Sequence, residues 1–336
     1  RLATPAGFLS INRTVSTNAR KPDMTTVIVE SDIKDPLERF REHFTKGTLT
    51  RPLVVSCLED AVRLNQPGSR MGEAAIMWLW RSYDSIEYPE DADLLNPVAV
   101  LLVREGKEEL LWNWMAQETT KPADESLKSG SYDKRYEWRS AALRALVEAK
   151  VHFATNHSLD AALETLFRGT KVPYFLVVDP AANFCHKMLC LTSDQSPTRT
   201  YDDMRNGLMF TNTSSLLWDA LYTEIGKRPG AFAEQNQATM RLHHPRHPDP
   251  WPLLKCWRRA EVDEGHTFRR VESRTASIAL VENSRDLRLV LKHLGHHEEA
   301  AWVKKFTAEM FPRDGGLTGK SRRERHTVDG KPLPSL

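Results

Sequence analysis

Two groups of basic side chains have the composition for contact with phosphates. Between Trp251 and Arg274, the residues Lys255, Arg258, Arg259, Arg269 and Arg270 are interleaved with Trp257 and Phe268. Lys and Arg neutralise phosphates, and an aromatic or guanidinium plane stacks on a base. Glu261, Asp263, Glu264 and Glu272 interrupt this run, so an intramolecular salt-bridge surface is an equal reading. The second group, Lys320, Arg322, Arg323 and Arg325, falls within six residues and has only Glu324 against it. An extended segment of that kind can follow a phosphate backbone. These nine residues are the candidate nucleic-acid-binding set.

Other chemistry is weaker. Gly315-Gly316-Leu317-Thr318-Gly319-Lys320-Ser321 imitates a phosphate-binding loop, but that loop needs Gly, four residues, then Gly-Lys-Ser or Gly-Lys-Thr, and residue 314 is Asp. His243 and His247 have the i, i+4 spacing of two ligands on one helix face. Pro245 and Pro248 interrupt a regular helix there, and no Glu stands between the histidines to act as a base. His243, His244 and His247 are therefore expected in a loop of exposed histidines. Cys185, His186 and Cys190 give a single C-x4-C interval without a second pair, short of a zinc site, and His186 reads as a surface or interface histidine on a helix. There is no Gly-x-Ser-x-Gly and no dinucleotide fingerprint. The sequence implies no catalytic residue, no metal and no cofactor.

The elements that must position the basic groups are helical. Asp35-Pro36-Leu37-Glu38 is a helix start, with Leu37, Phe40 and Phe44 at core spacing. The pattern predicts helices over Arg51–Leu64 and Met71–Tyr83, and from Asn96-Pro97 to a stop near Gly106. It continues through Leu110–Met115, Tyr136–Phe153 and Ser158–Gly169, and from Asp179-Pro180. Thr213 is expected to cap Leu216–Ile225. Ser284 is expected to cap Leu287–Leu294, and His296–Phe311 follows. Strand signals are confined to Thr25–Val29 and Tyr174–Val178. Trp78/Trp80 and Trp112/Trp114 are two apart, which splits each pair across a helix and makes one member of each a candidate for exposure.

With 336 residues, 40% hydrophobic and 27% charged, the chain has the composition of a folded protein with a large core. Net charge is +2, but residues 1–240 carry −4 and residues 241–336 carry +6 with eight of the twelve His. Four Cys are too few for a disulfide framework and read as a reducing compartment. No apolar run approaches membrane-spanning length. The first residue is Arg1, which reads as a processed or truncated start. Residues 1–22 are Arg- and Ser/Thr-rich without an acid, the composition of a mitochondrial targeting segment.

The turns fall 30 to 50 residues apart, bracketing the period of helix-pair repeats. Leu294-Gly295-His296-His297-Glu298-Glu299-Ala300-Ala301-Trp302 and the residues up to Met310 resemble the second helix of a pentatricopeptide or tetratricopeptide repeat. Arg104-Glu105-Gly106-Lys107-Glu108-Glu109-Leu110-Leu111 resembles the same element more weakly. The expected fold is all-α, with irregular helical hairpins stacked as an α-solenoid. Residues 1–30 form a basic arm, 31–312 the helical repeat domain with room for a subdivision near 119–133, and 313–336 a basic tail. The resemblance implies a non-catalytic protein of mitochondrial gene expression in the matrix. It would bind RNA or form part of a ribonucleoprotein, such as the mitochondrial ribosome or an RNA maturation or translation factor. The alternative is a protein-binding scaffold or assembly factor that uses the solenoid surface without RNA contact.

Overall fold

The computed structural model describes residues 35–65, 68–82, 92–116, 137–172, 178–190, 199–227, 231–262 and 274–311. They are all-α, in fourteen helices: α1 (Pro36–Thr45), α2 (Arg51–Leu64), α3 (Met71–Ser82), α4 (Ala92–Arg104), α5 (Glu109–Ala116), α6 (Glu137–His152), α7 (Asp160–Gly169), α8 (Asp179–Leu189), α9 (Tyr201–Asn206), α10 (Ser215–Gly226), α11 (Ala231–Leu242), α12 (Trp251–Val262), α13 (Arg274–His293) and α14 (His297–Met310). The segments Thr25–Val29 and 174–177, the subdivision near 119–133, and both ends of the chain lie outside the described residues.

Helices pack mainly against their neighbours in sequence, and the chain divides into two compact units. The described residues up to Ala154, with Thr165–Ala181, form the first. Thr155–Glu164 and the residues from Ala182 onward form the second.

In the first unit, α4 packs against α2, α3, α5 and α6. Its Leu94, Leu95, Val98, Ala99, Val100, Leu101 and Leu102 are all buried, because a helix apolar on every side is stable only when surrounded. This explains a departure from the sequence pattern. The helix begins at Ala92, four residues before Asn96-Pro97, and Pro97 lies inside it. Burial of Leu94 and Leu95 outweighs the loss of one N–H from the ladder. Helix α3 approaches closely: a Cβ on Gly72 would stand 2.9 Å from Leu101 Cβ and from Leu102 N. The carboxylate of Glu105, just past α4, accepts from the Gly72 and Glu73 amides at 2.8 and 3.0 Å and closes the first turn of α3. Both Trp112 and Trp114 are buried, so neither is available on the outside as their spacing had suggested. Trp114 meets Trp138 with ring centroids 4.6 Å apart. The Arg168 guanidinium covers Trp112 at 4.4 Å while holding Glu109.

The two repeat-like stretches share one local device. At Gly106 (φ +66°) the Lys107 amide donates to Leu102 O and the Gly106 amide to Val103 O. At Gly295 (φ +84°) the His296 amide donates to Leu291 O and the Gly295 amide to Lys292 O. This paired closure requires a left-handed residue, which glycine adopts without a Cβ clash.

The second unit has its core between α11, α12, α13 and α14. Leu253, Trp257, Leu287, Val290, Leu291, Val303 and Phe306 are buried together, with Trp257 edge-on to Phe306. Two expected caps are corrected here. Helix α13 is continuous from Arg274 to His293, and the Ser284 hydroxyl, in mid-helix, donates to Val281 O at 2.8 Å. A mid-helix Ser can bond its own preceding turn and need not end it. The N-cap of α10 is Ser214, not Thr213. Thr213 Oγ1 accepts from the Leu159 amide at 3.1 Å, and Asp160 Oδ1 accepts from the Ser214 amide at 2.8 Å. The starts of α7 and α10 thus satisfy each other's free amides.

Candidate functional site

Two sites emerge in the second unit, one exposed and one buried. Helix α12 turns Leu253, Leu254, Trp257 and Ala260 into the core. The i, i+3/i+4 periodicity then places Trp251, Lys255, Arg258, Arg259 and Val262 on the outside. Trp251 is 45% and Val262 84% exposed, large values for apolar side chains at the two ends of a helix. Arg258 lies over the Trp302 ring at 3.7 Å and pairs with Glu261 at 3.5 Å. Arg259 reaches Glu234 at 2.5 Å. Trp302 is stacked on Phe306 and donates its indole N–H to Glu261. The helix therefore carries both readings of its sequence at once: a cationic stripe, and ion pairs within it. Exposed pairs are worth about 0–1 kcal/mol, so a competing phosphate can take these guanidinium groups over.

Of the candidate nucleic-acid-binding residues, Lys255, Arg258 and Arg259 are brought together on α12. Arg269, Arg270, Lys320, Arg322, Arg323 and Arg325 lie outside the described residues, as does the Gly315–Ser321 segment.

The buried site overturns the expectation for the histidines. His243 is fully buried and His244 is 5% exposed. At the C-terminal end of α11, His243 Nδ1 faces Thr239 O at 2.9 Å, and Nε2 faces Asp286 Oδ2 at 3.0 Å. A carbonyl and a carboxylate only accept, so both ring nitrogens donate and the ring is an imidazolium. The carbonyl end of α11 favours that charge. Asp286 is 4% exposed on α13, and its other oxygen takes the buried Arg199 guanidinium.

Cys190, half-buried just after α8, has its thiol enclosed beside His186 and His243. Burial opposes the charge on both partners. Even so, the nearby His186 and His243 bring the Cys190 thiol down to about 6. The hydrogen bond to Asp286, with Cys190 nearby, raises His243 to about 10. By contrast, His244 Nδ1 accepts from the Arg246 and His247 amides, and burial pushes that ring below its ordinary range. Pro245 and Pro248 do break the helix, as the sequence indicates, but the chain folds inward where it breaks.

The sequence carried one signal for this cluster. Asp286 precedes Leu287 and stands four residues before Val290, on the core face of an amphipathic helix. An acid at such a position calls for a buried partner. Among the described residues, no group of three His, Cys, Asp or Glu side chains is arranged to hold a metal ion, and no helix is long and apolar enough to cross a membrane.

No protein-family model, curated protein or solved structure matches this chain.

Proposed function

We propose that this is a non-catalytic mitochondrial helical-repeat protein, an irregular α-solenoid, that binds RNA as part of a ribonucleoprotein. The observation that carries the reading is the outer face of α12. Lys255, Arg258 and Arg259 supply cations at helical spacing beside the exposed ring of Trp251. Cations follow a phosphate backbone, and an exposed aromatic offers a stacking surface of no fixed sequence preference. The +6 charge of residues 241–336 supports the same end of the chain as the contact region. The acid-free residues 1–22 support the mitochondrial matrix, and the turn-and-helix units at Gly106 and Gly295 support the resemblance to pentatricopeptide-type repeats.

The test is binding of the full chain to a fluorescent single-stranded RNA across a salt series. Affinity should fall with salt by about −0.7 log units per log unit for each phosphate contacted. The triple variant Lys255→Ala/Arg258→Ala/Arg259→Ala should flatten the slope by about two units. Its melting temperature should change little, because all three side chains are outside the core. An unchanged slope removes α12 from the interface. No binding at low salt by the intact protein favours the scaffold or assembly-factor reading, in which the same stripe meets an acidic protein.

A further inference from the structure

We propose that the turn between α11 and α12 is an acid-sensitive latch: the ring of His244 holds it shut as a neutral hydrogen-bond acceptor, and protonation of that ring opens it. The α12 reading uses none of these contacts, so the two stand or fall separately.

The direction of the hydrogen bonds sets the latch. The Arg246 and His247 amides both donate to His244 Nδ1, at 3.2 and 3.0 Å. An amide N–H only donates, so Nδ1 carries its lone pair and the ring proton sits on Nε2. A second proton, at Nδ1, turns the acceptor into a donor that faces two donors. Turning the ring over restores nothing, because an imidazolium donates from both nitrogens. Both bonds are lost, and a charge is left on a residue that is 5% exposed.

The surroundings resist that charge. The edge of Trp218 on α10 meets the ring with centroids 5.7 Å apart, and His247 stacks on it at 5.8 Å. The charged and titratable groups around it are Arg205 from α9, Asp219 from α10, Arg241 from α11 and His247 from the turn itself. Arg205 is fixed on the carbonyls of His244 and Pro245. Asp219 alone favours the imidazolium, and it shares its field with Arg241, 3.9 Å away. Burial and the three basic neighbours outweigh it and hold the ring below its ordinary 6.5. The neutral ring is therefore the form that the shut turn selects. The latch is complete above pH 6.5 and is lost as pH falls below it.

The opening is local. His243, next in the chain, donates from both ring nitrogens, to Thr239 O and to Asp286, so acid leaves the end of α11 anchored. The Asp249 amide donates to Arg241 O at 2.9 Å, a tie that does not titrate. Between these two fixed points the charged ring leaves for water and uncovers the edge of Trp218, which is 2% exposed when the turn is shut.

The experiment is nuclear magnetic resonance of the full chain from about pH 8 to about pH 5, the range in which histidine titrates. The His244 ring should be the Nε2–H form at neutral pH, with a midpoint below 6.5. Exchange protection of the Arg246 and His247 amides should fall about ten-fold for each pH unit below 6.5, the slope of one proton taken up on opening. The amides of Val290 and Leu291 in α13 should keep theirs over the same range. In His244→Asn the side-chain oxygen stands where Nδ1 stood and accepts without titrating, so protection should no longer depend on pH. His244→Ala should leave both amides unprotected at every pH. A His244 midpoint at or above 6.5, native protection that does not change with pH, the native slope in His244→Asn, or a parallel loss at Val290 and Leu291 overturns the latch.

Discussion

His243 and Asp286, 43 residues apart in sequence, meet at 3.0 Å inside the second unit, with Arg199 on the far oxygen of the same carboxylate. The pair joins the end of α11 to the middle of α13. Its pH dependence separates it from an ordinary structural hydrogen bond. Unfolded, the imidazole titrates near 6.5 and the Cys190 thiol near 9.0; folded, they titrate near 10 and near 6. Between pH 6.5 and 9 the folded and unfolded chains hold the same number of protons on these two groups, so their contribution is flat. Above 9 the unfolded thiol loses its proton while His243 keeps its own, and stability falls as pH rises towards 10. In Cys190→Ser, Asp286 still raises His243, without the part that Cys190 supplies. Its contribution is complete below 6.5 and is lost as pH rises through the folded value. Urea midpoints should show a plateau from about pH 6.5 to 9 in the native protein and a downward slope from about pH 6.5 in the variant.

Removing the shared anion should be severe. Asp286→Asn keeps the shape of the side chain but takes a carboxylate from two buried cations, Arg199 and His243. Breaking a buried pair in this way costs about 3–5 kcal/mol. A denaturant titration checks it. A loss below 1 kcal/mol would mean that water reaches the cluster.

The α3–α4 contact should be intolerant of one methyl group. In Gly72→Ala the new Cβ meets Leu101 Cβ and Leu102 N at 2.9 Å, and backbone cannot swing aside. We expect a loss of about 1–3 kcal/mol from overpacking. Glu105→Ala leaves the Gly72 and Glu73 amides without their acceptor and should cost about 1–2 kcal/mol, as loss of a helix cap does. The measurement is equilibrium unfolding of each variant. If Gly72→Ala is neutral, the close approach is absent in solution.

Thr213→Val should expose the link between the starts of α7 and α10. Valine fills the same space but cannot accept from the Leu159 amide, which the threonine holds at 3.1 Å. A buried amide left without an acceptor costs about 1–3 kcal/mol. Hydrogen exchange at Leu159 should quicken in Thr213→Val and stay slow in Thr213→Ser.

Local signals in the sequence determined much of the helical outline. Helix α2 spans Arg51–Leu64 as its pattern indicates, and Asp35-Pro36, Gly106 and Gly295 start or stop helices where they stand. Each of these depends on residues within about one turn: a proline with preset φ, or a glycine that accepts positive φ. Polar residues whose partners are distant were decided by tertiary structure alone. Thr213 has the composition of a cap for the helix after it, yet its hydroxyl serves Leu159, 54 residues earlier. His243 sits in a Pro- and His-rich stretch that reads as surface, yet Asp286 draws it inside from 43 residues away. The type of residue says which bonds it can make. Which helix closes over it, and so whether it meets water or a buried charge, depends on packing between segments that share no local sequence.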